Sequence, residues 1–580
     1  MEEPIKTLIW KYALQNAYRY GGRAQSKAVI GKVLAEKPEL KALARELTST
    51  IQQIVDEVNR MSLEEQRRIL EENFPELLAE REVEATVKTL PPLPNVDKYP
   101  MVVTRYAPNP DFVLHFGQAR AIYLSHDYAR IYKGKFILRF EDTDPKNKKP
   151  VLEYYDAIRE DIKWLGCKWD EEYIQSLRLP IYYEYARKLI EAEAAYVCTC
   201  KPEAFKEMVI VGKPCPCRGL TVEENLERWD KMLGDYYGEG DAVLRVKTDL
   251  QHKNVSVREW VAFRIIDASK NPHPIVGDKY NLWPTYHFAN GLDDHLMEIT
   301  HIIRGKEFLS TLDRHLYLYK HFGWKYPEAI HYGRWLLPKG GAMSKSKTLR
   351  AIKAGLFKGF DDPRLPTLAA LRRRGIQPEA IHQMILEVGV KQSEVSLSWD
   401  NLYAYNKRIV EPKAKRLFFV HNPVRLKVYG LTRQYEAKIR FHPSKPEMGF
   451  RRLKVEVKNN GASLFISPED AKLLKDRGMV RLMELFNVKL EKSSDNMLEA
   501  ILLSETYEEA RRLNIPLIHW LPADQYIKAR VVMPDATELE GIVENNCLAV
   551  EVGEVVQFER FGFVRLDSKN GEWVFYYTHK

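Results

Sequence analysis

The chain has 580 residues, more than one hydrophobic core usually covers, so several domains are expected. Hydrophobic residues make up 45% of it, and a net charge of +9 permits a polyanionic partner without requiring one. Six cysteines are too few for a disulfide scaffold, and neither a signal peptide nor a membrane-spanning apolar run is evident. The composition therefore predicts a soluble protein of several domains in a reducing compartment, the cytoplasm.

The N-terminal part of the chain has the pattern of a helical domain. Apolar and charged residues alternate at helical spacing up to about residue 90, and Ser62 and Glu65 have the spacing of a capping box. Several prolines follow within residues 91–100, where they remove backbone donors and bar a helix. We therefore predict a first domain over residues 1–98.

Two further patterns follow along the chain. From residue 101, short apolar runs such as KFILRF alternate with amphipathic segments, including a helix from about Leu114 to Tyr132. This alternation is typical of a parallel α/β sheet. Past about residue 410, strand-like segments such as RLKVYGL and RRLKVEV are separated by Gly, Pro and Asn, which predicts β-barrels.

Positive charge is concentrated in two places. Residues 411–480 contain 16 Lys and Arg against 7 Asp and Glu, whereas residues 481–580 contain 11 against 17. Residues 345–375 add nine Lys or Arg against two Asp. Separated basic stretches suit a long polyanion that lies along the molecule, although solvated basic faces would give the same counts.

A first candidate phosphate site follows the first strand of the α/β region. In RYAPNPDFVLHFGQARA, His115 and Gly117 lie near the start of a helix, where free N–H groups and the helix dipole favour an anion. Gly117 has no side chain to block a nucleotide, and His115 can donate a hydrogen bond to a phosphate oxygen. Alone the motif is weak, because His-x-Gly is expected about once by chance at this composition.

A second candidate phosphate site lies 230 residues further on. In LLPKGGAMSKSK, two glycines precede a cluster that includes Ser344, Lys345 and Ser346. A mobile loop of this kind could bring ammonium groups over a triphosphate and stabilise charge on departing pyrophosphate. In isolation the segment also fits a solvated basic loop.

Together, in this order, the two segments resemble the HIGH and KMSKS motifs of the class I aminoacyl-tRNA synthetases. Gln118 stands where that family has a second histidine, and Ala342 stands where it has the first lysine of KMSKS. RFEDTD and PTYHFANGLDDHLMEITHIIRG resemble the glutamyl branch, and the β-rich C-terminal part is similar to its archaeal and eukaryotic type. The likeness covers residues 99–580.

The resemblance implies a multidomain α/β plus β protein. After the helical N-terminal domain it places a Rossmann-type class I catalytic domain over residues 99–350, interrupted at about 185–285 by an insertion that binds the acceptor end of tRNA. A helical connector is expected over residues 351–410. The C-terminal β-barrels, residues 411–580, would read the anticodon.

The resemblance also implies the site residues. Those implied in catalysis are His115, Gly117, Gln118, Ser344, Lys345 and Ser346. Those implied around the amino acid are Arg105, Ala107, Asn109, Glu141, Tyr286, Asn290 and Arg304. Those implied around ATP are His115, Gly117, Gly305, Glu307, Leu336, Leu337 and Lys345.

Three positions, Glu141, His287 and Arg304, favour glutamate over glutamine. Glu141 supplies a negative charge for the α-ammonium group, and Arg304 can bind the side-chain carboxylate as a planar two-point fork. The same fork would leave the amide N–H₂ of glutamine facing a donor. Glutaminyl enzymes lack an arginine here and differ at His287, whereas a structural ion pair is the other interpretation of Arg304.

The four cysteines Cys198, Cys200, Cys215 and Cys217 form two C-x-C pairs separated by fourteen residues. Four thiolates grouped in this way could bind one structural zinc ion tetrahedrally. The single-residue spacers are tighter than the usual two, so an incomplete site is the alternative.

The sequence thus predicts a glutamate-tRNA ligase that uses ATP and Mg²⁺ to charge tRNA(Glu), with tRNA(Gln) left open as a second substrate. The expected enzyme is a monomer that does not bind a membrane. A glutaminyl enzyme and a catalytically silent tRNA-binding protein are the alternatives; Gln118 and Ala342 make the second conceivable.

Overall fold

The structure, a computed structural model, describes residues 3–19, 22–37, 39–40, 44–74, 90–336, 344–494 and 497–580. By internal contacts the chain divides into two compact units, residues 1–89 and 90–580. None of the described helices has the length and apolar composition needed to cross a membrane.

The first unit is helical, as predicted. Its helices are α1 (Glu3–Arg19), α2 (Ser26–Glu36), α3 (Ala44–Val58) and α4 (Leu63–Asn73). Ser62 caps α4, and its side chain and that of Glu65 form the predicted capping box. Leu14, Val29 and Ile51, from three different helices, are fully buried in a core of their own.

The second unit begins at Leu90, earlier than the predicted boundary at residue 99. Leu90 and Leu93 are buried in the core of the α/β region, and the Leu93 N–H donates to Tyr132 Oη at 2.9 Å. The proline-rich stretch forms no α-helix and contains only a short 3₁₀ helix, Val96–Lys98, and its prolines do not prevent these leucines from packing.

The α/β region is built on parallel strands. Its first half contains β1 (Val103–Tyr106), α5 (Phe116–Ile131), β2 (Lys135–Phe140), α6 (Leu152–Trp164) and β3 (Glu171–Ile174). These three strands pair in the order β1-β2-β3, and all pairs are parallel.

An antiparallel sheet interrupts the parallel one. The intervening elements are α7 (Leu179–Glu191), β4 (Ala195–Cys198), α8 (Pro202–Ile210), α9 (Val222–Leu233), β5 (Val243–Val246), β6 (Val261–Ile265) and β7 (Leu282–Pro284). The four strands pair in sequence order around their own core, which includes Trp229 and Trp283.

The parallel arrangement then resumes. The next elements are α10 (Tyr286–Leu296), β8 (His301–Gly305), α11 (Leu309–Phe322) and β9 (Glu328–Tyr332). β8 pairs with β9 in parallel, and the Thr300 N–H donates to Val103 O at 3.0 Å, so β8 lies beside β1. The resulting strand order is β3-β2-β1-β8-β9. The chain first adds parallel strands on one side of β1 and then on the other side, as in a Rossmann-like sheet.

Short elements connect this region to the C-terminal strands. They are β10 (Trp335–Leu336), α12 (Lys345–Lys353), α13 (Leu368–Arg373), α14 (Pro378–Val388), β11 (Val395–Ser396) and α15 (Trp399–Val410). β10 pairs in parallel with β11, which places the segment after β9 beside the segment after α14.

The C-terminal strands form two seven-stranded sheets and one hairpin. In chain order the elements are β12 (Arg416–Leu417), β13 (Phe419–His421), β14 (Val424–Tyr429), β15 (Tyr435–Arg440), β16 (Phe450–Val455), β17 (Gly461–Ile466), α16 (Pro468–Arg477), β18 (Met479–Leu482), β19 (Asn487–Ser493), β20 (Met497–Ser504), α17 (Tyr507–Arg512), β21 (Leu517–Ile518), β22 (Leu521–Pro522), β23 (Tyr526–Val532), β24 (Glu538–Glu544), β25 (Val555–Phe558), β26 (Gly562–Ser568) and β27 (Trp573–His579). The predicted multidomain α/β plus β architecture is confirmed.

The strands of the basic stretch, residues 411–480, are distributed over both seven-stranded sheets and the hairpin. One sheet has the order β12-β25-β26-β27-β23-β24-β13 and the other β21-β18-β19-β20-β14-β17-β22. The first therefore combines strands from both ends of the C-terminal region. Charge counted in consecutive blocks cannot show this, because strand pairing joins distant segments.

Candidate active site

The parallel strands end at a cavity of about 480 Å³. It lies where the carboxyl ends of β1 and β8 meet the first turns of α5 and α10, the edge at which open α/β sheets bind ligands. The cavity brings together these predicted residues: Arg105, Ala107, Asn109, His115, Gly117, Gln118, Glu141, Tyr286, Asn290, Arg304, Gly305, Glu307 and Lys345.

Four predicted residues are not among those that line the cavity. Ser344 precedes α12 as its N-cap residue, and Ser346 and Leu336 are exposed. Leu337 lies outside the described residues, as does the segment that contains Ala342. The roles assigned to these positions stay predictions.

His115 is the N-cap residue of α5. Its Nδ1 accepts a hydrogen bond from the Gly117 N–H at 3.1 Å, so the neutral ring carries its proton on Nε2. The side chain of Gln118 accepts from the His115 N–H at 3.0 Å and completes a capping box. Gln118, the residue that departs from the HIGH motif, therefore stabilises the start of the helix.

The ring of His115 is expected to stay neutral from about pH 5 to 8. Burial and the nearby charge of Lys345 lower its pKa from 6.5 to about 4. Between those two values the unfolded chain binds a proton that the folded chain does not, so this group makes the free energy of unfolding rise with pH.

A ¹⁵N–¹H NMR titration of the histidine rings tests this, with the His115 signal assigned by its loss in His115→Gln. The expected midpoint is near 4, with the proton on Nε2 at neutral pH. A midpoint near 6.5 would contradict the buried, singly protonated ring.

Arg304 lies at the carboxyl end of β8 and is 5% exposed. Its Nε donates to His331 Nε2 at 3.2 Å and its Nη2 to Tyr326 Oη at 3.4 Å. Burial and Arg304 lower the pKa of His331 to about 4, so that ring is a neutral acceptor. Both partners are uncharged, which disfavours the interpretation of Arg304 as half of a structural ion pair.

A buried network of charges lies beside Arg304. Asp294 accepts from Arg105 Nε at 3.1 Å and from Arg139 Nη1 at 2.9 Å. Burial alone would raise the pKa of Asp294, but the two guanidinium groups hold it well below its usual range. Neither Asp294 nor Arg139 was predicted as a site residue, although both stand in segments that carry the family resemblance.

Glu141 is tied to this network at one oxygen. Its Oε1 accepts from Arg139 Nη2 at 3.1 Å and from the Asn290 amide. Burial raises its pKa above the ordinary value, although Arg139 and Arg105 oppose that effect. Both hydrogen bonds to Glu141 from described residues use Oε1. Oε2 is therefore the oxygen that an ammonium group could approach.

Several polar atoms of cavity residues lack a partner. Asn109 Oδ1, Asn290 Oδ1, Arg304 Nη1 and Trp335 Nε1 are buried and form no hydrogen bond with any described residue. Buried polar groups are almost always paired in folded proteins, so four orphaned atoms around one cavity indicate a polar ligand. Three of the residues predicted around the amino acid, Asn109, Asn290 and Arg304, are among them.

The cavity carries an excess of positive charge. Its basic residues are Arg105, Arg120, Lys148, Arg304, Arg334 and Lys345, whereas its acidic residues are Glu141 and Glu307. Lys345 Nζ contacts Asp111 Oδ1 at 2.6 Å and is half exposed, so it can exchange that partner for a ligand. Such a cavity suits a ligand with several negative charges.

The four predicted zinc ligands converge in the antiparallel region. Their sulfur atoms all lie within 4.8 Å of one another, with Cys198 to Cys215 at 3.9 Å and Cys200 to Cys217 at 3.7 Å. Four sulfurs placed about 2.3 Å from a zinc ion at tetrahedral corners would be about 3.8 Å apart. The donor set and its spacing therefore fit a closed zinc site.

The sequence matches three family descriptions in order. Residues 101–412 match tRNA synthetases class I (E and Q), catalytic domain, and residues 414–506 and 517–567 match two anti-codon binding domains of the same group. The chain belongs to this family. As a class I synthetase it has ATP as a substrate and uses Mg²⁺, both typical of the class.

Related proteins match this chain over nearly its whole length. A glutamate–tRNA ligase of Pyrococcus furiosus is 48% identical over 99% of this chain and 100% of its own length. A glutamate–tRNA ligase of Hyperthermus butylicus is 49% identical over 95% of this chain and 96% of its own length. A crystal structure of a glutamate tRNA ligase from Elizabethkingia meningosepticum in complex with its amino acid is 23% identical. It covers 54% of this chain and 70% of its own with a TM-score of 0.39, too low to add to the assignment.

Proposed function

We propose that the synthetase activates L-glutamate with ATP and transfers it to tRNA(Glu). The observation that carries the choice of amino acid is the buried Nη1 of Arg304, which has no partner among the described residues. Arg304 has five N–H donors and no acceptor, so a carboxylate can satisfy the orphaned group. The relatives that match the whole chain are glutamate–tRNA ligases, which supports this choice.

The reaction needs positioning and charge stabilisation from the protein. An α-carboxylate oxygen of glutamate attacks the α-phosphorus of ATP, the bond to the bridging oxygen breaks, and pyrophosphate leaves. A hydroxyl of the terminal ribose of tRNA then attacks the carbonyl carbon of the mixed anhydride and releases AMP and a proton. Mg²⁺ would offset the charge of the triphosphate.

Each cavity residue has a distinct role in this proposal. His115 donates from Nε2–H to a phosphate oxygen at the start of α5, where the helix dipole also favours an anion. Lys345 exchanges Asp111 for the phosphate group that becomes pyrophosphate. Glu141 accepts hydrogen bonds from the α-ammonium group, and Arg304 donates hydrogen bonds to the side-chain carboxylate.

A charging assay with both amino acids and both tRNAs tests the function. We expect ATP-dependent charging of tRNA(Glu) with glutamate and no charging by glutamine. Charging with glutamine would indicate the glutaminyl alternative, and no charging with either would indicate a silent tRNA-binding protein. The assay also decides whether tRNA(Gln) is a second substrate.

We also propose that the β15–β16 hairpin contacts tRNA. On its exposed face Lys438 lies opposite Arg452, and Glu436 opposite Lys454. Arg452 forms an ion pair with Glu436. Lys438 and Lys454 have no carboxylate partner among the described residues, and this excess of positive charge suits a polyanionic partner. The family description of residues 414–506 as an anti-codon binding domain supports this location.

Arg451 does not belong to that face, although it lies in the basic stretch of residues 411–480. It is 1% exposed and contacts Glu544 and Glu559, each at 3.2 Å. Along β16 it alternates with exposed Arg452 and points with Leu453 and Val455 toward the interior. Its role is structural.

Changing Lys438, Arg440, Arg452 and Lys454 together to glutamine is expected to weaken tRNA binding and flatten its salt dependence. The slope of log K against log salt should fall by nearly one for each lost phosphate contact. KM for ATP and glutamate should not change, because those sites lie in the α/β region. The measurement is KM for tRNA at several salt concentrations.

Lys528→Gln is the control, because Lys528 is an exposed lysine on β23, in a seven-stranded sheet that does not include the hairpin. It should leave the slope unchanged. An unchanged slope in the fourfold variant would mean that the hairpin face is solvated and that tRNA contacts other residues.

We propose further that the four clustered cysteines hold a structural zinc ion. Four protein thiolates complete a tetrahedral sphere and leave no position for a substrate. The cluster packs against Phe205 and Val209 of α8, so the ion would fix that helix on the antiparallel sheet. We propose in addition that the antiparallel sheet belongs to the insertion at about 185–285 that binds the acceptor end of tRNA. The other domain limits predicted from the sequence are proposed with it.

Synthetase purified without chelator is expected to contain about one zinc per chain. Cys215→Ser should lower that content and increase proteolysis within residues 195–220. Cys547 is a buried cysteine of the C-terminal sheets. Cys547→Ser is therefore the matched control and should leave the zinc content unchanged. Zinc below a tenth of the protein concentration would reject the site.

A further inference from the structure

A buried arginine on α5 has no role in the reaction described above. Arg120 lines the cavity and is 1% exposed. Its Nη1 donates to Gly333 O at 2.7 Å, its Nη2 to Gly389 O at 2.7 Å, and its Nε to Gly389 O at 3.2 Å. A buried guanidinium group is usually paired with a carboxylate, but these partners are all backbone carbonyls.

The two carbonyls belong to segments that are distant in sequence. Gly333 directly follows β9, and Gly389 directly follows α14. The segments touch closely: a Cβ on Gly333 would lie 2.0 Å from Ser393 O. The Gly333 N–H also donates to Lys391 O at 2.9 Å. Arg120 thus binds both sides of a tight backbone crossing.

Aromatic rings enclose the same guanidinium group. Its central carbon lies 4.5 Å from the ring centre of Tyr332 and 5.5 Å from that of Trp335. The Trp335 ring in turn lies 5.3 Å from Phe116, the residue next to His115. Cation–π contacts of this kind are strongest where water is excluded.

The charge is retained at neutral pH. Burial lowers the pKa of Arg120 to about 10, with the nearby Tyr332 opposing the change. The group therefore remains protonated and keeps its donors. Replacing it would leave the two carbonyls short of a charged donor at the wall of the cavity.

We propose that Arg120 is a positioning residue. It fixes the wall that contains Tyr332 and Trp335 against the helix that begins at His115. Tyr332 and Trp335 line the cavity together with His115, so Arg120 sets the spacing between the start of α5 and the opposite wall of the ATP site. The inference rests on the proposed function for its assay.

The spacing should matter more for the rate than for glutamate binding. A displacement of about 1 Å between reacting groups lowers a rate by roughly 100-fold. Arg304 and Glu141, which would bind glutamate, are not among the groups that contact Arg120 in the described residues. A positioning role therefore predicts a fall in kcat with KM for glutamate nearly unchanged.

The test is ATP–pyrophosphate exchange by Arg120→Met and Arg120→Lys in the full chain, with tRNA and glutamate present. We expect kcat per folded active site to fall roughly 100-fold in Arg120→Met. Arg120→Lys keeps the charge but loses the fork, so its kcat should fall by at least tenfold. KM for glutamate should stay within twofold in both.

The control is Arg130→Met, which removes an arginine from the last turn of the same helix. Arg130 pairs with Asp170 at 2.9 Å on the surface and should be replaceable without loss of exchange. If Arg120→Met does not fold, Arg120→Lys decides alone. A wild-type kcat in folded variants, with only a lower midpoint of thermal unfolding, would overturn the proposal and leave Arg120 a structural residue. Absence of exchange in the wild type would instead contradict the proposed function.

Discussion

Replacing Arg304 by glutamine is expected to lower kcat/KM for glutamate by roughly 10² to 10⁴-fold, because a buried carboxylate would lose its charged partner at a cost of about 3 to 5 kcal/mol. Among the described residues, Arg304 donates hydrogen bonds to neutral groups and takes part in no ion pair that the change would break. KM for ATP should change little, because this effect arises at the amino-acid end of the cavity.

Two further variants sharpen this test. Arg304→Lys keeps a charge but loses the two-point fork, so its kcat/KM should lie between that of the wild type and that of Arg304→Gln. Arg159→Gln is the control and removes a surface arginine that pairs with Glu172 at 2.6 Å. It should leave kcat/KM for glutamate nearly unchanged and lower the free energy of unfolding by less than about 1 kcal/mol. A normal kcat/KM for glutamate in Arg304→Gln would reject the assignment of this pocket to the side-chain carboxylate.

The secondary structure of the chain was predictable where the pattern is periodic. KFILRF is β2, and the helix expected from about Leu114 to Tyr132 is α5, residues 116–131. The start of α5 differs by two residues because His115 caps the helix with its own side chain, a contact that hydrophobic periodicity does not reveal.

The site was predictable only in part. Residues that share a motif, such as His115 and Gly117, were found, whereas Asp294 was missed because its partners Arg105 and Arg139 are more than 150 positions away. Arg120 was missed for the same reason, since its acceptors are carbonyls of distant residues and leave no pattern of side chains.

The inward position of Arg451 was predictable from its strand. Along β16 the order Phe450, Arg451, Arg452, Leu453 alternates between the two faces, so Arg451 falls on the side of Leu453. Period-two alternation therefore predicts an inward arginine, and the count of basic residues concealed it. Its buried partner Glu544 lies on β24, which no local pattern could indicate.

Lys345→Ala is expected to slow glutamyl-adenylate formation by roughly 10² to 10³, the usual cost of losing a preorganised donor that stabilises transition-state charge. Lys345 lines the cavity at the first position of α12, and its ion pair with Asp111 holds its ammonium group at the cavity edge. The measurement is single-turnover formation of the adenylate with ATP, glutamate and tRNA at saturation.

Lys347→Ala is the matched control, because Lys347 is an exposed lysine two positions further along α12 and does not line the cavity. Successive side chains on a helix point in different directions, so equal charge removal at the two positions separates a specific contact from the general field of a basic helix. We expect the control to react within about threefold of the wild type if the effect of Lys345 is a direct contact of the kind described. Equal rate losses in the two variants would assign the effect to overall charge, and an unchanged rate in Lys345→Ala would leave its contact with Asp111 as the only role of that lysine.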